Sequence, residues 1–160
     1  MVKGTGNILQ NKQKLVILIT AKFPYVPGEE FLETEIKYWE NYCDSQNIEM
    51  TIMPLNSSAI IRELPKGIEL HLPLVGTTKN KLIKHLYIIA VFFKRLFYRE
   101  IMSQNIYNPR KIKKAVRAVR DIMFYKKILS DIIKYNLEKD LFFYTYWYDE
   151  VTYALQLLKE

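Results

Sequence analysis

The sequence is poor in the residues that build the commonest catalytic and metal sites. Its 160 residues include one cysteine and two histidines. Cys43 cannot form an internal disulfide, and because the sequence has no cluster of thiols or imidazoles we expect no metal site and a reducing compartment. His71 lies in a predicted strand and His85 beside the core stripe of a predicted helix, where a lone histidine is more often structural or exposed than catalytic.

Glycine is equally scarce, with five residues in the whole chain. No G-x-G-x-x-G follows the first apolar run, and no glycine-lysine loop of the Walker type is present. Ser, Cys and His residues do not recur at the spacing of a known nucleophilic site. These absences exclude the usual dinucleotide fingerprint, the P-loop and the common hydrolase motifs.

Long apolar runs are missing as well. The longest uncharged run of the most apolar segment covers residues 86–93, far short of the roughly 20 residues that a spanning helix needs. Residues 1–13 are polar and lack the apolar centre of a cleaved signal peptide, so we interpret them as a flexible lead. The sequence therefore predicts a cytoplasmic location.

Acidic residues are rare in one region only. Residues 79–139 carry 16 Lys and Arg against 4 Asp and Glu, whereas the rest of the chain carries 8 against 13. Such asymmetry predicts an anionic partner, which is a set of phosphate groups, a membrane surface or a nucleic acid. A nucleic acid is disfavoured, because the aromatic residues fall mostly in predicted core and do not alternate with the basic ones.

The pattern of apolar residues predicts alternating strands and helices. We expect strands at residues 14–20, 48–54, 67–72 and 141–147, and we expect the last of them to be buried. We expect helices at residues 29–43, 79–103 and 109–135 and from Asp149 onward. Residues 56–66 are expected to form a loop with a brief helical turn. This order is typical of an α/β fold, a Rossmann-like and mostly parallel sheet flanked by helices. Residues 14–160 are expected to form that domain.

The predicted helix at 79–103 contains neither glycine nor proline and carries two different faces. Helical projection gives a core stripe and an opposite side on which cations alternate with apolar residues, an arrangement suited to an anionic membrane surface. The stripe consists of Leu82, Leu86, Ile89, Phe93, Leu96 and Phe97; the opposite side consists of Lys81, Lys84, Ile88, Val91, Arg95 and Arg99. We expect the four basic residues to contact membrane or phosphate.

The loop after the first strand is the first of two candidate ligand sites. Its sequence, FPYVPGEEF, offers restricted backbone, N–H groups at a helix start and acidic residues suited to holding hydroxyl or phosphate groups. The candidate residues are Phe23, Pro24, Gly28, Glu29 and Glu30. The alternative interpretation is that Pro24 and Gly28 serve only the turn.

The second candidate site follows the last predicted strand, in YTYWYDE. Aromatic rings beside carboxylates often stack on and hydrogen-bond to a sugar ring, and the candidate residues are Tyr144, Tyr146, Trp147 and Asp149. Alternatively, Tyr146 and Trp147 are ordinary core aromatics. Both candidate sites are expected at equivalent ends of neighbouring strands, which favours a shared ligand site.

The same two stretches resemble a known family. ITAKFPYVPGEEFLETEIKYW resembles the opening of the N-terminal domain of GT-B-fold glycosyltransferases of family 4, particularly members of polysaccharide biosynthesis. FFYTYWYDEVTYALQLLK is similar to a strand and helix later in that domain. The resemblance covers most of the chain, from Leu15 to its end.

This resemblance implies a two-domain enzyme that moves a sugar from a nucleotide donor to an acceptor held mainly by the N-terminal domain, usually with retention and without a metal. The Gly28 loop would lie near the acceptor and the donor phosphates. Tyr144 to Trp147 would fall where many members carry a histidine-containing motif; tyrosines stand there in this chain, so no catalytic residue is assigned. The donor-binding domain with its paired glutamates has no counterpart in the 160 residues.

The resulting prediction is the acceptor-binding part of a glycosyltransferase of cell-surface polysaccharide synthesis, peripheral at the inner face of the cell membrane. Its acceptor would be lipid-linked or a polysaccharide, its donor a nucleotide sugar bound mainly by the missing domain. Since the sequence stops inside the last predicted helix, we expect a truncated chain that is inactive alone. The alternative is a non-enzymatic truncated module or subunit that binds anionic lipid or a partner chain.

Overall fold

A computed structural model describes residues 12–71, 81–103, 108–147 and 149–159, without the side chains of residues 81–85, 100 and 103. Within these residues the elements follow in the order β1 (Lys14–Thr20), β2 (Tyr25–Val26), α1 (Phe31–Gln46), β3 (Glu49–Pro54), β4 (Ile60–Ile61), β5 (Ile68–Leu70), α2 (Lys81–Val91), α3 (Arg95–Ser103), α4 (Pro109–Tyr135), β6 (Asp140–Thr145) and α5 (Glu150–Lys159).

Four strands form one parallel sheet in the order β5-β3-β1-β6. β1 lies inside the sheet, between β3 and β6, and all of its residues from Leu15 to Thr20 are buried. A continuous run of Val, Ile and Leu is typical of such a strand, which is covered on both faces. The predicted α/β fold with a Rossmann-like parallel sheet flanked by helices is confirmed.

Two cores lie on opposite faces of β1, since successive side chains of a strand point to opposite sides. Val16 and Leu18 pack with α1 residues such as Leu32 and Ile36. Leu15, Ile17 and Ile19 pack on the other face with residues of α4 and α5. Cys43 is buried on the α1 side, as expected for a residue on a helix face.

α1 begins two residues later than predicted. Its first residue is Phe31, and Glu30 is the N-cap without a side-chain cap bond, because Glu29 is hydrogen-bonded back to the end of β1. The helix also runs three residues further than predicted and ends at Gln46, followed by the C-cap Asn47, whose φ of 52° is left-handed and whose N–H bonds to the carbonyls of Asp44 and Cys43.

Residues 56–66 do not contain the predicted helical turn. Ile60 and Ile61 instead form β4, which pairs antiparallel with β2 in the loop after β1. Two β-branched residues favour this extended pairing, and Arg62 extends it by donating its N–H to the carbonyl of Pro24 at 2.9 Å. The loop after β1 is therefore braced by a second small sheet.

The predicted helix at 79–103 is two helices. The N–H groups of Phe92, Phe93 and Lys94 bond to carbonyls three residues earlier, which closes tight turns between α2 and α3. Val91 and Phe97 both pack in one core with α4 residues. Because six residues turn about 240° around a straight helix, these two side chains can reach the same neighbour only if the helix breaks between them.

The break overturns the predicted core stripe. Leu86, Ile89 and Phe93 are exposed, and Val91, assigned to the outer side, is fully buried. Phe97 is buried and Leu96 packs beside it as predicted. Leu82 lies among the side chains that the structure leaves out.

α4 matches its prediction. Asn108 caps it by accepting a hydrogen bond from the N–H of Arg110 at 2.9 Å, Pro109 stands in the first turn, and the helix ends at Tyr135. Val119 is buried, and Ile112, Val116 and Met123 of the same helix pack against the core that contains it.

β6 is an edge strand and not the buried strand expected at 141–147. It ends at Thr145, pairs with β1 alone among the described strands, and exposes every second residue, including Phe142 and Tyr144. A run of aromatic residues in the sequence does not distinguish a central strand from an edge whose outer face is open.

Candidate functional site

The two candidate loops lie next to each other at the carboxyl end of the sheet. β1 and β6 are hydrogen-bonded neighbours and run parallel, with Leu18 opposite Tyr144 and Ile19 opposite Thr145. Both chains therefore leave the sheet side by side at the carboxyl ends of the strands, where open α/β sheets bind ligands. The predicted placement of these loops at equivalent ends of neighbouring strands is confirmed.

Glu29 closes the loop after β1 from inside. Its carboxylate accepts backbone N–H groups from Ala21 at 2.5 Å, Lys22 at 3.1 Å and Phe23 at 2.8 Å. Burial alone would raise the pKa of Glu29, but the backbone hydrogen bonds together outweigh it and hold the pKa below its ordinary value. The three N–H groups that would suit a phosphate are thus already occupied by a carboxylate of the same loop.

The rest of this loop is also committed to its own packing. Phe23 is buried, and its carbonyl accepts the hydroxyl of Thr20 at 2.7 Å. A Cβ on Gly28 would lie 2.5 Å from the carbonyl oxygen of Tyr25, so only glycine fits. The Phe23–Pro24 and Val26–Pro27 peptide bonds are cis. Glu30 is exposed at the start of α1.

The segment after β6 forms an open aromatic surface together with one side of α1. We define this aromatic surface by Phe31, Trp39, Tyr144, Tyr146 and Trp147. Edge-to-face contacts join its rings, with centroids 5.3 Å apart for Phe31 and Tyr146, 5.4 Å for Trp39 and Tyr144, and 5.1 Å for Tyr144 and Tyr146. Phe31, Tyr144 and Trp147 are each more than two fifths exposed, so the surface presents ring area to solvent.

A polar group lies among these rings. The hydroxyl oxygen of Tyr146 is buried beside the side chains of Glu35 and Trp39, and it makes no hydrogen bond of ordinary geometry with a described residue. Burial, with the nearby Glu35 carboxylate as a second cause, raises the pKa of Tyr146, so the phenol stays protonated at neutral pH. The aromatic surface therefore combines ring faces, an unused hydroxyl donor and a half-buried carboxylate, the groups that a sugar ring requires.

Asp149 holds the end of the β6 segment in place. Its carboxylate accepts the N–H groups of Val151 at 3.1 Å and Thr152 at 3.2 Å and so caps α5. The hydroxyl of Thr152 donates to the carbonyl of Trp147 at 2.7 Å. The predicted sugar-contact residue Asp149 thus has a structural role, since it anchors the helix that positions Trp147.

Sequence reasoning missed the α1 half of the aromatic surface. Phe31, Glu35 and Trp39 recur every four residues and so lie on one side of the helix, but their spacing by itself predicts only a helix. Because β6 is at the edge of the sheet, this side of α1 reaches solvent. Aromatic residues at exposed helix positions would have been the available signal.

Of the four predicted basic contacts, the structure describes the side chains of Arg95 and Arg99. Arg95 is exposed. Arg99 donates a hydrogen bond to the hydroxyl of Tyr153 on α5 and lines a groove of about 400 Å³ with Asp149, Glu150 and residues of α4. Lys81 and Lys84 lie among the side chains that the structure leaves out.

Metal and membrane features are limited in the described part of the chain. No group of three His, Cys, Asp or Glu side chains stands together there. Within the described ranges, no helix combines the length and apolarity that a membrane crossing requires.

Comparison with known proteins yields no significant match of the chain to a protein-family model, to a curated protein or to a solved structure.

Proposed function

We propose that this domain is the acceptor-side part of a glycosyltransferase, which holds a lipid-linked or polysaccharide acceptor while a sugar is transferred to it from a nucleotide-sugar donor. The observation that carries the proposal is the aromatic surface beside the exit of β1. It lies where parallel sheets bind ligands, and it offers ring faces next to an unused hydroxyl and a carboxylate.

In this proposal the aromatic residues bind one face of an acceptor sugar by stacking. Trp147 and Tyr144 provide exposed rings, and Glu35 accepts from a sugar hydroxyl. The Tyr146 hydroxyl, which is buried without ligand, donates to a sugar oxygen when the acceptor draws the ring outward. The domain binds and orients the acceptor. The residues that activate it are not assigned, and the donor is bound mainly by a domain outside these residues. The location proposed is the cytoplasmic face of the cell membrane.

A binding module without transferase activity is the second candidate. The observation that favours it is the occupied loop after β1, because Glu29 fills the N–H groups that a donor or acceptor phosphate would use. Both candidates use the aromatic surface for sugar binding, and they differ in whether transfer follows.

Titration with short oligosaccharides and with a prenyl-diphosphate-linked sugar tests binding, followed by tryptophan fluorescence and calorimetry. Trp147→Ala should weaken binding about tenfold or more, since one stacked aromatic ring contributes on the order of 1.5 kcal/mol. Tyr135→Ala is the control, because Tyr135 is also an exposed aromatic residue (85% against 52% for Trp147) but lies at the end of α4 that leads into the start of β6. Equal sugar affinity in both variants and the parent would contradict the proposal.

A transfer assay separates the two candidates. The protein isolated from its own cell is given labelled nucleotide sugars and a membrane lipid extract. Incorporation that falls in Trp147→Ala and persists in Tyr135→Ala supports the transferase. Sugar binding without incorporation from any donor supports the binding module.

A further inference from the structure

A set of large apolar side chains projects into solvent from α2, α3 and the turn between them. We define this α2–α3 apolar patch by Leu86, Ile89, Phe92, Phe93, Tyr98 and Met102. Each is exposed, with Phe93 at 83% and Met102 at 77%. Exposed apolar groups of this size, clustered on one element pair, mark an interaction surface.

The patch follows from the way the two helices pack on α4. Val91 and Phe97 supply the buried contact with Ala115 and Val119. Leu86 and Ile89 stand three residues apart on the side of α2 that is roughly opposite to Val91, and Phe93 lies in the turn that follows the helix. The turn is held closed by the hydroxyl of Tyr98, which donates to the carbonyl of Phe92 at 2.8 Å. The apolar side therefore faces away from the protein's own core.

Every charged side chain described on these two helices and their turn is a cation. Lys94 and Arg95 directly follow Phe93 and are exposed, and neither takes part in an ion pair with a described residue. Arg99 stands one turn further along α3. Apolar side chains next to unpaired cations suit the boundary between anionic headgroups and acyl chains.

We propose that the α2–α3 apolar patch docks this protein onto an anionic lipid bilayer. Phe93, Leu86 and Ile89 enter the boundary between headgroups and acyl chains, and Lys94 and Arg95 contact the headgroup phosphates. The side of α2 that the sequence favoured for this contact is a different one, since it includes the buried Val91. The inference rests on the membrane location in the proposed function and is independent of the sugar-transfer step.

A bilayer fits the patch better than a second copy of the chain. Across a two-fold axis the patch would meet its own copy, which would bring Lys94 and Arg95 of both chains into one interface, although residues 81–103 supply one acidic residue, Glu100, against five Lys and Arg. Anionic headgroups supply the missing charge. Like charges brought together at an interface weaken it.

Co-sedimentation with vesicles tests the inference. We compare vesicles of phosphatidylcholine with vesicles that also contain about one third phosphatidylglycerol, a proportion in the range where surface charge attracts basic proteins. Phe93→Ser should lower binding to the anionic vesicles about tenfold, since it removes one interfacial aromatic side chain. Lys94→Gln with Arg95→Gln should lower it several-fold and reduce its dependence on salt.

Two control variants locate the contact. Leu137→Ser removes an exposed leucine just beyond the far end of α4, and Lys113→Gln with Arg117→Gln neutralises exposed cations of α4 that lie opposite its packed residue Val119. Both should bind vesicles as the parent does. Loss of binding in the Lys113 and Arg117 double variant but not in Phe93→Ser would overturn the inference.

The remaining outcomes also decide the matter. Absence of vesicle binding in the parent protein overturns the inference, and so does a concentration-dependent dimer that Phe93→Ser dissociates, because the patch would then be an interface between copies. Sugar binding by the aromatic surface is measured without vesicles. Failure of membrane docking and failure of the proposed function can therefore be told apart.

Discussion

The two chain segments that leave the sheet side by side, after β1 and after β6, use their polar groups in opposite ways. After β1, the N–H groups of Ala21, Lys22 and Phe23 all bond to Glu29, and Gly28 lies against a carbonyl with no space to spare. After β6, aromatic rings face solvent and the hydroxyl of Tyr146 makes no hydrogen bond of ordinary geometry with a described residue. A polar group already satisfied inside the fold gains little from a ligand, whereas an unsatisfied one gains a full hydrogen bond.

This contrast assigns stability to one segment and recognition to the other. Changes after β1 should unfold the protein before they affect binding. Changes after β6 should affect binding with little cost in stability. Four substitutions test the contrast.

Gly28→Ala should have the largest effect on stability. The added Cβ would stand 2.5 Å from the carbonyl oxygen of Tyr25, and relieving this overlap requires the braced loop to move, at a cost of about 2 to 3 kcal/mol in the free energy of unfolding. Denaturant unfolding measures it. Trp147→Ala is the counterpart after β6, and a loss of stability in that variant as large as in Gly28→Ala would break the comparison.

Glu29→Gln should cost about 2 kcal/mol at neutral pH, because an amide cannot accept three backbone N–H groups without directing its own N–H₂ at one of them. The neighbouring exposed Glu30→Gln is the matched control and should stay within about 0.5 kcal/mol of the parent. Unfolding by urea at pH 7 provides both values. Equal stability of the two variants would mean that the three hydrogen bonds do not hold the loop.

The same variant carries a dependence on pH. The pKa of Glu29 is lowered in the folded protein, so its contribution to stability is present above the ordinary pKa of a glutamate and is lost as the pH falls through the lowered folded value. The difference in stability between the parent and Glu29→Gln should therefore shrink in strongly acidic solution. A constant difference down to about pH 2, below the ordinary carboxyl range, would contradict this role.

Asp149→Ala should cost about 1 kcal/mol, the usual contribution of a helix N-cap. Because Asp149 caps α5 and does not reach the rings, sugar affinity should fall less than in Trp147→Ala. Asp140→Ala is a control at the exposed start of β6. A larger loss of sugar affinity in Asp149→Ala than in Trp147→Ala would show that Asp149 contributes to sugar binding.

Tyr146→Phe should have the smallest effect on stability. It removes a buried hydroxyl that makes no hydrogen bond of ordinary geometry with a described residue, so the free energy of unfolding should stay unchanged or rise by up to about 1 kcal/mol. Sugar binding should weaken, since the donor is lost. Thermal unfolding measures the first effect and calorimetry the second, and a destabilised variant would show that the hydroxyl is paired within the protein.

Much of the fold could be predicted because its signals are local. The unbroken apolar run of β1, the start of α4 at Pro109 and the restricted loop between Phe23 and Gly28 each depend on neighbours in sequence. Breaks that depend on distant neighbours were missed. The separation of α2 from α3 arises because Val91 and Phe97 both pack with α4, and β4 forms because it meets β2.

The sequence predicted one half of the candidate site, the residues that follow β6. Tyr144, Tyr146 and Trp147 were found from composition and from their place after a strand. Phe31, Glu35 and Trp39 were not predicted to belong to the site, because aromatic residues at helical spacing give the same sequence pattern whether that side of the helix is buried or exposed. Only the position of β6 at the edge of the sheet shows that this side of α1 is exposed.

By itself, the sequence determined the parallel α/β order of elements, which follows from the periodicity of apolar residues. It also determined the strand–loop–helix unit that starts with β1, which follows from the turn residues. The parallel direction of the strands then places the two loops together at the carboxyl end of the sheet. Tertiary structure alone decided which groups are left to bind. The carboxylate of Glu29 accepts three N–H groups that precede it in the chain. Phe93, expected in the core, is exposed, whereas Val91 packs against α4. Both outcomes depend on competition between side chains for the same partner, which no local pattern records.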